Sequence, residues 1–429
     1  MRVLVLGGYG LIGLAITRAL IARGAGAIGA GRRPDHGAAR EPRARWVRLD
    51  LADPPADLKQ TLTGVDAVIN AAGALQDGGR DSLEAVHHTG VAAVLAACRE
   101  AGVKRWIQIS AAGVSPDAST PFFRTKAAGD QAVRLSGLAY AILRPGLVIG
   151  PDGYGGTVLM RAVAGAPFIQ PVAYADSLIH PVSLGEVASE AADHALAGEL
   201  KAIEMDLVAP EPVTFAELVA GMRARQGLPP ARIIALPSVF AELAGVLGDL
   251  AARLGWNGPL RSTAMTVMSG GVTGDPSQRA ALGYPPLKTA EDTLLDLHSS
   301  AQERAIALSL PLRVLITLTL AAFWIVSGVL GFVSAEAARA VLTDAGMAPG
   351  LAAAFVAGGS VADIALGLGV LIARTHRLAL WGMILLTLGY LSAATLVTPG
   401  LWLDPLGPLV KSVPAMVLAL IALTWRSRD

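Results

Sequence analysis

The sequence predicts a doubly wound α/β domain on a parallel sheet with a small C-terminal lobe, followed by an all-α domain of four transmembrane helices. The first prediction rests on a glycine-rich turn at residues 2–13 and on apolar strands that alternate with helical segments up to about residue 150. The second rests on composition: 53% of the 429 residues are hydrophobic, 16% are charged, and the mean hydropathy is +0.52. A protein of this size that is so apolar is expected to contain membrane segments.

The glycine-rich turn lies in the stretch RVLVLGGYGLIG. Residues 3–6 have the pattern of a buried strand, and residues 12–23 have the apolar spacing of a helix. Gly7 permits a tight turn, Gly10 lets the backbone approach a pyrophosphate, and Gly13 lets the helix pack on the strand. Because the helix N-terminus faces the negative charge, the stretch predicts a dinucleotide site of the Rossmann type, with an ordinary glycine turn as the alternative. The cofactor-binding residues predicted here are Gly7, Gly8, Tyr9, Gly10, Leu11, Ile12 and Gly13.

Further strands continue the α/β pattern. They are predicted at residues 24–31, 46–51, 67–73, 105–110 and 139–150. The second strand of a Rossmann fold ends near the adenosine ribose, where an acid would bond the ribose hydroxyls and arginines would pair with a 2′-phosphate. Arg32 and Arg33 stand at this point, which favours NADP over NAD as the cofactor. Two solvated loop arginines are the alternative interpretation.

Several other residues limit the range of functions. Cys98 is the only cysteine, so an intrachain disulfide or a thiolate zinc site is excluded, and its helical context predicts a core residue. The adjacent His87 and His88 point to different faces of a predicted helix at residues 82–101, which favours a surface or interface role over metal ligation. We therefore expect no metal site, and the net charge of +1 gives no reason to expect nucleic acid.

Five segments together carry a family resemblance: GGYGLIG, LDL at 49–51, NAAG at 70–73, AGVKRWIQIS at 101–110 and ILRPGLVIGP at 142–151. On these motifs the chain resembles the extended or atypical short-chain dehydrogenase/reductases. Within them it is most similar to the NAD(P)-binding group that includes an accessory subunit of respiratory complex I. The resemblance covers about residues 1–300, with IHPVSLGEV, TFAELVAGMRARQG and LGYPPL matching the substrate side and small lobe. It implies further cofactor contacts at Asp50, Leu51, Ala71, Ala72, Gly73, Lys126 and Pro145.

Active members of this superfamily use a tyrosine as general acid/base, a lysine four residues later and a serine that polarises the carbonyl. In this chain Lys126 is present, but the tyrosine position is Phe122, and a phenyl ring cannot exchange a proton. The serine position falls on Ala111, with Ser110 one residue before it. Lys126 is then expected to bond the nicotinamide ribose, with a solvated helix lysine as the alternative. The catalytic candidates are Lys126, Ser110 and His180, and Tyr154 and Tyr174 are weaker ones.

The chain becomes strongly apolar after residue 308. Residues 312–333, 351–373, 378–397 and 406–425 are each about 20 mostly apolar residues, which is the length that crosses a hydrocarbon core. The predicted domains are residues 1–300 (NAD(P)-binding), 301–311 (linker) and 312–429 (membrane). Buried helices of a soluble all-α domain are the alternative, although four such runs leave almost no polar face.

Basic residues flank these segments unevenly. Arg304, Arg313, Arg374, His376, Arg377, Arg426 and Arg428 lie on one predicted side, whereas the other loops carry Arg339 against Glu336, Asp344 and Asp404. The positive-inside rule then places the protein in the cell inner membrane as a multi-pass protein, with the Rossmann domain and both termini in the cytoplasm.

Two ionisable residues fall inside the membrane region. Asp363 lies in the second predicted span and Lys411 in the fourth, and such residues are costly unless they are paired or wetted. A contact between Asp363 and Lys411 is therefore a candidate polar site, with snorkelling of Lys411 as the alternative. The four-span pattern and WLDPLGPLVKSVP resemble the DoxX-like membrane domain found fused behind such dehydrogenase domains.

These observations predict a membrane-anchored, NADPH-binding oxidoreductase-like protein that acts on a lipid-soluble molecule such as a quinone or isoprenoid. The missing tyrosine keeps open a second function, that of a non-catalytic nucleotide-binding protein which helps to assemble a membrane complex. An NAD-dependent epimerase or dehydratase is the third alternative, and it is weaker because those reactions also use the missing tyrosine.

Overall fold

The structure is a computed structural model that describes residues 1–55, 57–78, 82–153, 155–256, 258, 260–299, 301–405 and 407–425. The chain divides into two compact units. The nucleotide-binding unit comprises residues 1–247 and 259–304, and the helical unit comprises residues 248–258 and 305–429.

Among the described residues, the strands lie in the nucleotide-binding unit. In chain order they are β1 (Arg2–Leu6), β2 (Gly26–Gly31), β3 (Arg45–Arg48), β4 (Ala67–Asn70), β5 (Arg105–Ile109), β6 (Ala139–Pro145), β7 (Leu147–Ile149), β8 (Ile169–Ala173), β9 (Leu178–Ile179), β10 (Pro181–Ser183), β11 (Ile203–Leu207), β12 (Val213–Thr214) and β13 (Arg232–Leu236).

Helices connect and flank these strands. They are α1 (Leu11–Ala22), α2 (Pro34–Arg40), α3 (Leu58–Leu62), α4 (Gly90–Ala101), α5 (Pro121–Arg134), α6 (Gly156–Ala164), α7 (Leu184–Leu196), α8 (Phe215–Arg225), α9 (Ser238–Arg253), α10 (Ser262–Ser269), α11 (Ser277–Ala281) and α12 (Ala290–Leu295). A π-helical segment, Ala85–Thr89, leads directly into α4.

The main sheet has seven parallel strands in the order β11-β6-β5-β4-β1-β2-β3 among the described residues. The order reverses between β1 and β4, so the carboxyl ends of these two strands form the crevice in which doubly wound folds bind ligands. Both faces of the sheet are covered, one by α1 and α7 and the other by α3, α4 and α5. This confirms the predicted doubly wound α/β fold.

Three short strand pairs build the small lobe. They are β7 with β10, β9 with β12 and β8 with β13. The sixth predicted strand, residues 139–150, is divided after Pro145, and its second half leaves the main sheet to pair with β10. Gly146 stands at the division, where the backbone packs closely, because a Cβ there would lie 2.2 Å from the carbonyl oxygen of His180.

The helical unit contains α13 (Ala301–Val333) from residue 305 onward, α14 (Ala335–Asp344), α15 (Pro349–Gly369), α16 (His376–Val397) and α17 (Pro408–Thr424), with a 3-10 turn at Pro399–Trp402. In the described part of the chain, three helical stretches are long and apolar enough to cross a membrane: Arg304–Val333, Pro349–Gly369 and His376–Val397. The residues predicted as a linker, 301–311, form the first turns of α13.

The fourth predicted span, residues 406–425, corresponds to α17, which has 17 residues. Such a helix is about 26 Å long, whereas the hydrocarbon core is about 30 Å thick. The helix starts late because Gly407 adopts a left-handed conformation (φ +56°) immediately before it. The residues Leu406, Arg426 and Arg428, which entered the span and orientation predictions, lie outside the described part of the chain.

Candidate functional site

The glycine-rich turn joins β1 to α1 at the crevice of the sheet. Gly7 has a left-handed backbone (φ +69°), and a Cβ there would lie 2.8 Å from Cα of Ala72. The N–H of Ala71 donates to the carbonyl of Leu6 at 3.0 Å. The turn after β1 and the turn after β4 are therefore packed backbone against backbone, which only a glycine at position 7 permits.

The N-terminus of α1 follows this turn. Gly10 is the N-cap of the helix, and a Cβ on Gly13 would lie 2.2 Å from the carbonyl oxygen of Gly7. A Cβ on Gly10 would contact only that same oxygen, at 3.2 Å, so the space beside Gly10 is not filled by protein. The first-turn N–H groups, including those of Leu11 and Ile12, have no acceptor within their own helix. An open glycine backbone beside free helix N–H groups fits the pyrophosphate of a dinucleotide.

The end of β2 lies next to this turn. The Tyr9 ring covers Gly31, where a Cβ would lie 2.4 Å from Cε1 of the ring. Arg32 and Arg33 follow β2 with exposed side chains, as a contact with a 2′-phosphate would require. At the end of β3, Asp50 accepts a hydrogen bond from the N–H of Ala52 at 3.0 Å. The adjacent Leu51 is buried, and its carbonyl oxygen lies against the start of α4, since a Cβ on Gly90 would lie 1.9 Å from it.

Helix α5 carries Phe122 and Lys126 one turn apart, as predicted. The Lys126 side chain is buried, and its Nζ donates to the carbonyl of Ile109 at 3.2 Å, at the end of β5. The same Nζ lies 5.7 Å from the centroid of the Phe122 ring. Burial lowers the pKa of Lys126 to about 8, although the carboxylate of Asp130 acts in the opposite direction. Lys126 is therefore not the solvated lysine of the alternative interpretation.

His87 is a residue of this site that the sequence did not reveal. We expected a surface or interface position, but its side chain is only 3% exposed, whereas the adjacent His88 is partly exposed and pairs with Glu84. Nε2 of His87 accepts from the N–H of Ala74 at 3.1 Å, and Nδ1 lies 2.9 Å from Oγ1 of Thr125. Burial, helped by the charge of Lys126, lowers the pKa of His87 to about 3.

His87 thus connects the turn after β4 to helix α5. Its ring contacts Phe122 edge-to-face at 5.6 Å between centroids. A Cβ on Gly73 would lie 3.4 Å from Nε2 of His87 and 3.8 Å from Nζ of Lys126, so these two nitrogens flank Gly73. The burial of His87 depends on the packing of the π-helical segment against α5, and the sequence gives no signal for this packing.

Ser110 is engaged in a charged network beneath this site. Its hydroxyl donates to Asp130 at 2.8 Å, and Asp130 lies 3.7 Å from Nε of Arg144, which also pairs with Glu204. Burial raises the pKa of Asp130 even though Ser110 and Arg144 both lower it. Pro145, the last residue of β6, is buried and accepts from the N–H of Ala112 at 2.9 Å. The catalytic role of Ser110 stays a prediction.

His180 lies between β9 and β10. It is buried, and its Nδ1 lies 3.4 Å from the N–H of Gly274. Burial lowers the pKa of His180, and the charge of Asp206 opposes this effect. The hydrogen bonds described for His180 join it to the small lobe and β7 rather than to α5, so its role as a base also stays a prediction.

Tyr174 has a left-handed backbone (φ +55°) and lines a separate cavity with Glu242 and Thr266, whereas Tyr154 lies outside the described residues. Cys98 is fully buried, as predicted. Across the part of the chain that the structure describes, no group of three or more His, Cys, Asp or Glu side chains could hold a metal ion.

The predicted contact between Asp363 and Lys411 in the helical unit is wrong. Asp363 is 5% exposed and accepts hydrogen bonds from Ser327 of α13 at 2.8 Å and from Tyr390 of α16 at 2.9 Å. Lys411, on α17, has an exposed side chain. The helices α13, α15 and α16 pack so closely that hydroxyl groups, and not the ammonium group, reach the carboxylate.

Comparisons with known proteins agree with this division of the chain. A family model described as "NAD(P)H-binding" matches residues 7–167, and one described as "DoxX-like family" matches residues 321–420. The 2-alkyl-3-oxoalkanoate reductase of Stenotrophomonas maltophilia (strain K279a) is 34% identical over 173 residues, which cover 35% of this chain and 52% of that protein. The chain therefore spans about half the length of this relative. The ceramide reductase of Caulobacter vibrioides (strain NA1000 / CB15N) is 27% identical over 248 residues, which cover 58% of this chain and 77% of that protein.

Solved structures share the fold of the nucleotide-binding unit. The enzyme WbmH of Bordetella bronchiseptica, in complex with NAD+, matches with a TM-score of 0.52 and 18% identity over 72% of this chain and 97% of its own. The UDP-glucuronic acid 4-epimerase of Bacillus cereus, in complex with UDP-glucuronic acid and NAD, matches with a TM-score of 0.53 and 16% identity over 72% and 99%. The chain therefore combines an N-terminal NAD(P)H-binding Rossmann domain, like that of short-chain dehydrogenase/reductases, with a C-terminal DoxX-like domain.

Proposed function

We propose that this protein is a membrane-anchored reductase that transfers a hydride from NADPH to a lipid-soluble acceptor of the quinone type. The observation that carries the proposal is the position of Phe122, one helical turn before the buried Lys126. A cation at that distance would lower the pKa of a phenol, but a phenyl ring has no proton to give.

The absence of a proton donor at position 122 favours one class of acceptor. Hydride transfer to an isolated ketone produces an alkoxide, a strong base that must be protonated as it forms. Hydride transfer to a quinone produces a hydroquinone anion, in which the charge is spread over the ring, and such an anion can take its proton from water. A site with Phe122 is therefore suited to a quinone and poorly suited to ketone reduction or to sugar epimerisation.

The proposed cofactor site follows the crevice between β1 and β4. The pyrophosphate would lie on the backbone of residues 7–13, and the adenosine end would extend toward Asp50 and Leu51. Arg32 and Arg33 favour NADPH, because an arginine can pair with the additional phosphate. The nicotinamide end would lie near Ala71, Ala72, Gly73, Pro145 and Lys126, whose ammonium group would bond the ribose. When bound, NADPH supplies the hydride.

The helical unit and the relatives support an apolar substrate. Three stretches in the described residues are long and apolar enough to cross a membrane. Two relatives are named as reductases of a 2-alkyl-3-oxoalkanoate and of ceramide, which supports reduction of a molecule with hydrocarbon chains. We place the protein in the cell inner membrane as a multi-pass protein, with the nucleotide-binding unit and both termini in the cytoplasm, on the distribution of basic residues.

The proposal is tested by following NADPH fluorescence on the purified full chain in detergent. We expect NADPH to bind, and its fluorescence to decay when a short-chain quinone is added. Lys126→Met should reduce this decay about a hundredfold or more, because the nicotinamide ribose loses its anchor. Stable binding without decay would instead support the second function, a non-catalytic nucleotide-binding protein that serves a membrane complex, which the absence of a tyrosine at position 122 also favours.

A further inference from the structure

The helical unit contains a polar cluster formed by three helices. We call Ser327, Asp363 and Tyr390 the Asp363 cluster. The Ser327 hydroxyl on α13 donates to Oδ2 of Asp363 at 2.8 Å, and the Tyr390 hydroxyl on α16 donates to Oδ1 at 2.9 Å. The carboxyl group on α15 therefore has one hydroxyl partner on each oxygen.

Small residues bring the helices together around this cluster. A Cβ on Gly328 would lie 2.5 Å from the carbonyl oxygen of Ser360 and 3.1 Å from Cβ of Asp363. A Cβ on Gly359 would lie 2.8 Å from the hydroxyl oxygen of Tyr390. Larger residues at these two positions would separate α13 from α15 and α15 from α16. The backbone is thus shaped to bring both hydroxyl groups to Asp363.

No cation partners this carboxyl group within the described residues. Its polar contacts are the two hydroxyl groups, and Lys411, the ammonium group closest in sequence to this region, is exposed. An unpaired carboxylate in a hydrocarbon environment is costly, whereas a carboxylic acid is much less so. A carboxyl group held only by hydroxyl groups is therefore expected to spend part of its time protonated.

A hydroxyl group can form a hydrogen bond with Asp363 in either of its protonation states. A serine or tyrosine hydroxyl donates to a carboxylate, and after rotation it accepts from a carboxylic acid. A lysine or arginine partner could only donate, and it would hold Asp363 as the anion. The two hydroxyl groups thus keep Asp363 hydrogen-bonded whether or not it carries a proton.

We propose that the Asp363 cluster is a reversible proton-binding site within the membrane-spanning part of the protein. The inference rests on the part of the proposed function that places α13, α15 and α16 across a membrane, and it is independent of the quinone. The contacts favour a proton over a metal cation, since both hydroxyl groups are placed as donors to the carboxylate, whereas a cation would require their oxygens to turn toward it.

The test uses dicyclohexylcarbodiimide on the full chain in detergent, with the modified residue located by mass spectrometry. This apolar reagent takes the proton of a carboxylic acid on one nitrogen, the carboxylate oxygen adds to its central carbon, and rearrangement leaves a stable acylurea. We expect an adduct on Asp363 that forms rapidly at acidic pH and more slowly as the pH is raised. Asp363→Asn should abolish the adduct, whereas Asp344→Asn, a change at an exposed carboxylate, should preserve it.

Three results would overturn the proposal. The first two are the absence of an adduct on Asp363 at every pH and a rate of adduct formation that does not change with pH. The third is protection of Asp363 from labelling by Na+ but not by K+ at constant pH, which would indicate a cation site. Wild-type labelling needs no variant, so a poorly folded Asp363→Asn protein does not affect the conclusion. NADPH binding and quinone reduction are measured separately, so a failure of the proposed reductase would leave the labelling result intact.

Discussion

The glycine-rich turn and helix α5 flank the same crevice, yet they differ in how fully they match the residues expected of a short-chain dehydrogenase/reductase. The turn has two backbone features that favour a dinucleotide, the left-handed Gly7 and the open backbone at Gly10. Helix α5 has the buried Lys126, but Phe122 stands where the resemblance to short-chain dehydrogenase/reductases predicts a proton-donating tyrosine. If the proposed function is right, the comparison teaches that the residues that bind the cofactor and the residue that would transfer a proton lie on separate elements, so that the first can be kept without the second.

The largest expected effect comes from restoring the proton donor. Phe122→Tyr would place a phenol one turn before Lys126, and general acid catalysis contributes about a hundredfold or more. We expect this variant to gain NADPH-dependent reduction of simple ketones, measured as loss of absorbance of the reduced cofactor.

The neighbouring Phe123→Tyr is the matched control, because the same hydroxyl is added one residue further along α5. If neither variant reduces ketones, helix α5 is not the catalytic helix, and the contrast drawn between the turn and the helix is wrong.

A second prediction concerns His87, which joins the two regions. The pKa of His87 is lowered from 6.5 to about 3 in the folded protein. As the pH falls below 6.5, His87 therefore becomes protonated in the unfolded chain but stays neutral in the folded chain. Stability is therefore lost as the pH falls, and by about pH 5 this residue alone should cost about 2 kcal/mol.

His87→Gln should remove this part of the pH dependence, measured by urea unfolding at neutral and acidic pH. His88→Gln is the control, because His88 is the adjacent histidine and is partly exposed. An equal pH dependence in wild type and in His87→Gln would show that His87 is accessible to protons in the folded state.

The smallest effect is expected at the turn. Gly10→Ala adds a methyl group that contacts protein only at 3.2 Å from the Gly7 carbonyl, so the fold should persist. The methyl group would occupy the space proposed for the pyrophosphate, and we expect NADPH to bind about tenfold more weakly, or ~1.4 kcal/mol.

The affinity is measured by NADPH fluorescence titration. Gly198→Ala, where a Cβ would meet nothing within 4 Å, is the control and should bind as wild type does. Unchanged affinity in Gly10→Ala would exclude the turn as the pyrophosphate site.

The sheet could be predicted because its strands are short apolar runs separated by helices. A strand that is apolar on both faces fits only inside a sheet that helices cover on both sides. The separation of Phe122 and Lys126 by one helical turn could also be predicted, because both residues lie on one helix and their distance depends only on sequence spacing. The position of His87 was not predictable, because its burial requires the π-helical segment and the close approach of α5 at Gly129. Likewise, the partners of Asp363 depend on how three helices pack, which hydropathy does not reveal. Hydropathy also predicted a fourth span where the helix is only 17 residues long.

The most direct test of the central claim is the rate at which NADPH bound to the full chain is oxidised by a short-chain quinone, compared with NADPH that carries deuterium at the transferred position. We predict quinone-dependent oxidation that is slower with the deuterated cofactor, because the hydride moves directly from the nicotinamide to the acceptor. Bound NADPH whose fluorescence stays constant with quinone present would contradict the reductase and leave a protein that binds the nucleotide without consuming it.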